Sequence, residues 1–185
     1  ATAVTSALVD RSCPNIVLDP VMVAKGGAPL LEPDAIKAVR CDLLPLASVV
    51  TPNLPEAAVL LGLPVARTRI EMVSQAHELL SCGPDAVLIK GGHFEGEGSP
   101  DLLLARGEEH WFEADRIYTM NTHGTGCSLS SALAACLARG MNMVDATTAA
   151  KSFITEAIRH ADELAVGSGH GPTHHFHTMW KEGKG

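Results

Sequence analysis

Between Asn121 and Ala135 the chain carries Gly124, Thr125 and Gly126, then Cys127, then a run of small and helix-forming residues. Two glycines around a threonine read as a tight loop that opens directly into a helix. Glycine lets the backbone take positive φ and approach a ligand closely. The unsatisfied N–H groups of the first helical turn lie at the partial positive end of the helix dipole, which makes a site for a phosphate or another anion. Cys127 falls at the mouth of that helix, where the same dipole favours thiolate over thiol. The alternative is a plain glycine turn with a small buried cysteine. Leu129 stands where a dinucleotide fingerprint needs its third glycine, and no Gly-x-x-x-x-Gly-Lys-Ser/Thr loop occurs in the chain, so neither phosphate motif accounts for the stretch.

Four other residues have chemistry to offer. Asn53 and Glu56 have the spacing of a capping box, which needs no ligand. The same two side chains are hard oxygen donors that suit Mg²⁺ carrying nucleotide phosphates, directly or through water. Lys90 closes an otherwise apolar run and precedes Gly91 and Gly92. It either reaches solvent along its stem or holds a phosphate as a point charge. Asp19, before Pro20, either ends a strand in a turn or approaches Mg²⁺. His170, His174, His175 and His177 suggest metal, but no nearby Cys, Asp or Glu completes a spaced ligand set in what reads as a polar tail. A Gly-x-Ser-x-Gly elbow is absent.

The elements that must position these groups alternate. Ala1 to Asp10 reads as the tail of a helix. Apolar runs at Asn15 to Val21, Ser48 to Thr51 and Ala86 to Lys90 predict buried strands. Helical spacing covers Pro33 to Leu44, Leu54 to Leu61 and about Ile70 to Ser81, the last two closed by Gly62 and by Cys82-Gly83-Pro84. Asp101 to Ala105 and Glu109 to Glu113 predict an antiparallel hairpin around Arg106 and Gly107. Gly26 and Gly27 mark a flexible loop, and helices follow at Cys127–Ala138 and Val144–Ala161. Apolar strands alternating with helices imply an α/β fold with a mainly parallel sheet covered on both faces, and ligands beyond the carboxyl ends of its strands. Asp19, Asn53, Lys90 and Gly124 fall at or just past such ends.

The 185 residues fit one domain, 46% hydrophobic and 19% charged, with aromatics at only 4%, so the core must be aliphatic. A net charge of -7 argues against a nucleic-acid surface. No apolar run approaches the length needed to cross a bilayer. Five widely spaced cysteines without a Cys-x-x-Cys pair suggest reduced thiols and a cytoplasmic setting.

Five segments, taken in order, resemble the hydroxymethylpyrimidine/phosphomethylpyrimidine kinases of thiamine biosynthesis, within the ribokinase-like superfamily. They run Asp19–Gly27, Thr51–Glu56, Ile89–His93, His123–Ser128 and Gly169–Pro172. The resemblance implies a mostly parallel central sheet flanked by helices, and two successive transfers of the ATP γ-phosphoryl group, to the pyrimidine and then to its monophosphate. It implies that Gly124, Thr125 and Gly126 form the anion hole, with Cys127 in the place of the superfamily's aspartate base. Asn53 and Glu56 resemble the pair that organises Mg²⁺, Asp19 a nearby metal-side carboxylate, and Lys90 a phosphate contact. Val21 resembles a residue lining the pyrimidine pocket, and Lys151 one near the nucleotide. The family also has a segment ahead of the position of Ala1, so residues 1–185 read as the later part of one kinase domain. Relatives often form homodimers. Three other readings remain: a pyridoxal or pyridoxine kinase, a non-catalytic nucleotide-binding fragment, and a metal-binding protein built on the histidine tail.

Overall fold

The computed structural model describes residues 2–11, 13–22, 30–92, 94 and 98–180. Gly26, Gly27 and His93, on which the expected flexible loop and parts of two motifs rest, lie outside them. The chain forms two compact units, residues 1–114 and 115–185.

The first unit holds a five-stranded sheet in sequential order. Its strands are β1 (Val17–Leu18), β2 (Val49–Val50), β3 (Ala86–Ile89), β4 (Asp101–Ala105) and β5 (Glu108–Phe112). The pairs β1–β2 and β2–β3 are parallel, whereas β3–β4 and β4–β5 are antiparallel. The sheet is therefore mixed, which corrects the expectation of a mostly parallel one. The extra antiparallel pairing arises because β4 returns beside β3, with Ala86 opposite Ala105, instead of the hairpin standing apart. Every residue of β3 and β4 is buried, the aliphatic ones as a covered sheet requires and Asp101 with the Gly91 N–H on its carboxylate. Arg106 and Gly107 both have positive φ, 54° and 81°, the two-residue turn whose twist matches a hairpin. That turn sets Glu108 opposite Ala105, so β5 begins one residue earlier than its sequence pattern suggests.

Helices α1 (Thr2–Asp10), α2 (Pro33–Ala38), α3 (Leu54–Leu61) and α4 (Arg69–Leu80) complete this unit. Helix α4 packs on β3 and β4, burying Met72, Ala76 and Leu79. Its start is a full capping box, with Thr68 accepting from the Glu71 N–H and Glu71 from the Thr68 N–H. The helix expected over Pro33 to Leu44 is not uniform. It widens into a π turn at Val39–Leu43 and tightens into a 3₁₀ turn at Leu44–Leu46, where Pro45 has no N–H to carry an α ladder onward.

The second unit is a helix pair, α5 (Thr125–Ala138) and α6 (Met143–Arg159), with a C-terminal segment. Leu129, Leu133 and Leu137 of α5 and Ala146, Ala150, Ile154 and Ala157 of α6 are buried. Their spacing of three and four residues is one helical face. Asn142 caps α6 by accepting from the Asp145 N–H. Among the described residues, no helix is long and apolar enough to cross a membrane.

Candidate active site

In the first unit, β1, β2 and β3 end side by side, and the residues that follow them meet. Asn53 and Lys90 form a parallel bridge just past β2 and β3. The Lys90 ammonium lies 2.8 Å from Asp19 Oδ1 and 4.0 Å from Glu56 Oε2, with all three side chains largely shielded from solvent. Thr51 Oγ1 donates to Asp19 Oδ1 at 3.5 Å, and the Lys90 N–H donates to the Pro52 carbonyl at 2.8 Å.

Glu56 is the most constrained member. Its Oε2 accepts from the Asn53 N–H at 2.8 Å, while Asn53 Oδ1 accepts from the Glu56 N–H at 2.8 Å, a reciprocal cap that opens α3. The Met22 N–H also bonds the carboxylate. Burial pushes the Glu56 carboxyl above its usual range, and the charge of Asp19 adds to that, against the opposing pull of Lys90 and the two backbone donors. Two carboxylates facing one ammonium leave a surplus of negative charge.

That donor set fits Mg²⁺. The ion is a hard cation that keeps several waters and binds through one or two carboxylates together with substrate phosphates. Behind Lys90, the Gly91 N–H donates to the buried Asp101 carboxylate at 2.8 Å. A Cβ on Gly91 would stand 1.7 Å from the Pro100 carbonyl oxygen, so only glycine fits there.

In the second unit, Gly124 adopts φ 82° as N-cap of α5, and Thr125 Oγ1 donates to the Thr122 carbonyl at 2.8 Å. The helix starts two residues before Cys127, so Cys127 is exposed in its first turn. Gly124 does not follow a strand of the sheet. The loop is held instead by the segment after Gly169. His123 bridges Pro172, its N–H donates to the Gly171 carbonyl at 3.1 Å, and Asn121 Oδ1 accepts from the Gly171 N–H at 2.9 Å. Asn121 in turn donates to Asp162 at 2.9 Å. Beside the loop lies a cleft of about 610 Å³ between α5 and α6, lined by Gly124, Cys127, Ser128, Ala135, Phe153 and His175 among others.

The structure thus brings Asp19, Asn53, Glu56 and Lys90 together in one unit, and gathers Gly124, Thr125, Gly126 and Cys127 in the other. Val21 is exposed two residues beyond Asp19, with its N–H on the Asp19 carbonyl. Lys151 lies half-buried on α6 and is not among the residues lining the cleft. The stretch after Gly167 is mostly exposed, but it buries Gly171, Thr173 and His174. His174 is only 3% exposed and its ring meets Trp180 edge-on. Met22, Asp101 and Asn121 carry no signal of their own in the sequence, and His175 stands out there only as part of a histidine cluster. Met22 lies inside the first of the five ordered segments and Asn121 just ahead of the fourth, whereas Asp101 belongs to none.

Sequence comparison matches the family described as phosphomethylpyrimidine kinase over residues 1–174. Over 178 residues the chain is 53% identical to the hydroxymethylpyrimidine/phosphomethylpyrimidine kinase of Escherichia coli K12, covering 96% of this chain and 67% of that protein. Among solved structures, an ADP complex of Bacillus subtilis pyridoxal kinase superposes with a TM-score of 0.87 at 36% identity, covering 95% of this chain and 65% of that one. A phosphomethylpyrimidine kinase from Clostridium difficile 630 gives a TM-score of 0.72 at 35% identity, covering 84% and 62%. The chain spans about two thirds of the length of each of these proteins.

Proposed function

The chain belongs to the phosphomethylpyrimidine kinase family, and from that membership we propose that it transfers the γ-phosphoryl group of ATP to 4-amino-5-hydroxymethyl-2-methylpyrimidine and then to the monophosphate. Its fold is α/β and ribokinase-like, with a mixed central sheet. We read residues 1–185 as part of a single kinase domain. The observation that carries the function is the 53% identity over 178 residues to a relative named for this reaction, against 36% to a pyridoxal kinase.

The residues divide the work as phosphoryl transfer demands, by positioning and by neutralising charge. The backbone at Gly124, Thr125 and Gly126 receives the transferring group at the start of α5 and stabilises its developing charge, the Thr125 N–H leaving the Thr122 carbonyl on which it rests at 3.4 Å. Cys127 takes the proton of the substrate hydroxymethyl group as its oxygen bonds to the γ-phosphorus and the bond to the β,γ-bridging oxygen breaks. Lys90 supplies positive charge for phosphate oxygens once it exchanges Asp19 for them. Asp19 and Glu56 would hold Mg²⁺, partly through water, with Asn53 fixing the Glu56 carboxylate, and the ion would offset phosphate charge. Val21 borders the pyrimidine. The cleft between α5 and α6 takes the nucleoside of ATP, with Lys151 close to the nucleotide.

The test follows ADP release with Mg-ATP and the hydroxymethylpyrimidine, then with pyridoxal in its place. Pyrimidine-dependent turnover that ends in the pyrophosphate is the expected result. Turnover with pyridoxal and none with the pyrimidine would overturn the substrate assignment.

A further inference from the structure

The C-terminal segment delivers one histidine to the mouth of the anion loop. His175 lines the cleft together with Gly124 and Cys127, and its Nε2 lies 2.6 Å from Ser128 Oγ. The two residues ahead of it are anchored. The Thr173 N–H donates to the His123 carbonyl at 3.4 Å, and the His174 N–H to the Ala157 carbonyl at 2.8 Å. Ala157 stands in the last turn of α6, where carbonyls lack helical partners. His174 is buried beneath; His175 itself is exposed, and its Nε2 also stands 3.4 Å from Thr173 Oγ1.

The partner it holds is unusual for its place. Ser130, Thr147 and Thr148 each turn their hydroxyl back to the carbonyl four residues earlier. Ser128, on the same helix as Ser130, instead directs its hydroxyl to His175 while its N–H stays on the Gly124 carbonyl at 2.9 Å. A Cβ on Gly124 would sit 3.9 Å from that hydroxyl, so Ser128 Oγ hangs over the loop. Without His175, the hydroxyl is free to fold back onto the Gly124 carbonyl, the local bond such side chains favour in helices. The rest of the cleft wall is apolar, from Ala132, Ala135 and Cys136 on α5 and Ala149 and Phe153 on α6. Sites of this kind bind a flat apolar group and orient it through a few fixed polar atoms.

We propose that His175 is a nucleotide-positioning residue, which acts by holding the Ser128 hydroxyl at the polar corner of this cleft beside the anion loop. The proposal rests on the kinase reading above. It is tested on the chain by calorimetric titration with ADP and by steady-state kinetics, for wild type, His175→Ala, His175→Gln, Ser128→Ala and the double alanine variant, with melting curves for each. Removal of one such hydrogen bond corresponds to about a tenfold change in affinity. His175→Ala is expected to weaken ADP binding and raise the KM for ATP by that factor while leaving the KM for the pyrimidine unchanged. His175→Gln, which places an amide near the former Nε2, restores most of the loss, and the double variant is no worse than either single one. Unaltered ADP affinity in His175→Ala overturns the proposal. So does a loss that glutamine fails to rescue and that tracks a fall in melting temperature, or single losses that add in full. A wild-type chain that binds no ADP overturns the kinase reading itself.

Discussion

Glu56 carries its charge where burial opposes it, and this has a consequence for stability. A carboxyl whose native pKa is raised holds its proton more tightly folded than unfolded. The stability this contributes is present in full below the ordinary value of 4.5 and is lost as pH rises through the higher native value. Ionised Glu56 therefore destabilises the fold at neutral pH. Glu56→Gln, which keeps one acceptor oxygen for the Asn53 N–H, should approach wild type in acid and gain on it as pH rises, then level off. Melting curves from pH 4 to 8 check this, and a gap that shrinks with rising pH refutes it. Activity should move the other way, because the carboxylate charge facing Mg²⁺ is gone. At Cys127 the two phosphorylations should separate. The first needs a base for a hydroxyl proton, a contribution worth about 10²-fold or more. The second attacks with a phosphate oxygen that is already ionised. Cys127→Ala should slow the first step by that factor and the second far less; equal loss in both removes Cys127 from the role of base.

At the scale of elements, the site depends on tight junctions between strand or helix ends and the loops that follow them. Gly91 joins β3 to the loop before β4 with its N–H on Asp101, and backbone occupies the space a side chain would need. Gly91→Ala should cost about 1–3 kcal/mol, toward the upper end because a carbonyl cannot rotate aside. Urea unfolding measures it, and a loss below half that range would mean the loop yields. The helix starts were legible beforehand because their signals are local. Asn53 with Glu56 and Gly62 bound α3 where the spacing places them, and the αL geometry at Gly62 follows from having no Cβ. The winding of residues 33–46 was not legible, since a π turn answers to packing and to Pro45 together. Nor was the C-terminal segment. Its histidines read as polar, yet His160 and His177 stack with ring centroids 5.5 Å apart and His174 is buried.

For the molecule as a whole, fully buried aliphatic side chains occur in both units. Leu88 on β3 and Leu133 on α5 have no exposure. Leu88→Ala and Leu133→Ala should each cost about 2–5 kcal/mol, the range for a large side chain removed from a packed interior. Chemical denaturation followed by circular dichroism reads both, and a cost under 1 kcal/mol at either would show that its surroundings collapse into the space.

What the amino-acid sequence determined by itself was the set of short-range facts. These are the strand and helix segments, the caps, the hairpin turn, the glycine loop ahead of α5, and the ordered segments that identify the family. Each depends on residues within a few positions of one another, where backbone sterics and side-chain periodicity act directly. Tertiary structure alone decided the rest. Lys90 meets Asp19 across 71 positions, His175 meets Ser128 across 47, and β4 lies antiparallel to β3. The partners in such contacts are selected by which buried faces fit together, a property of the assembled core that no local pattern encodes.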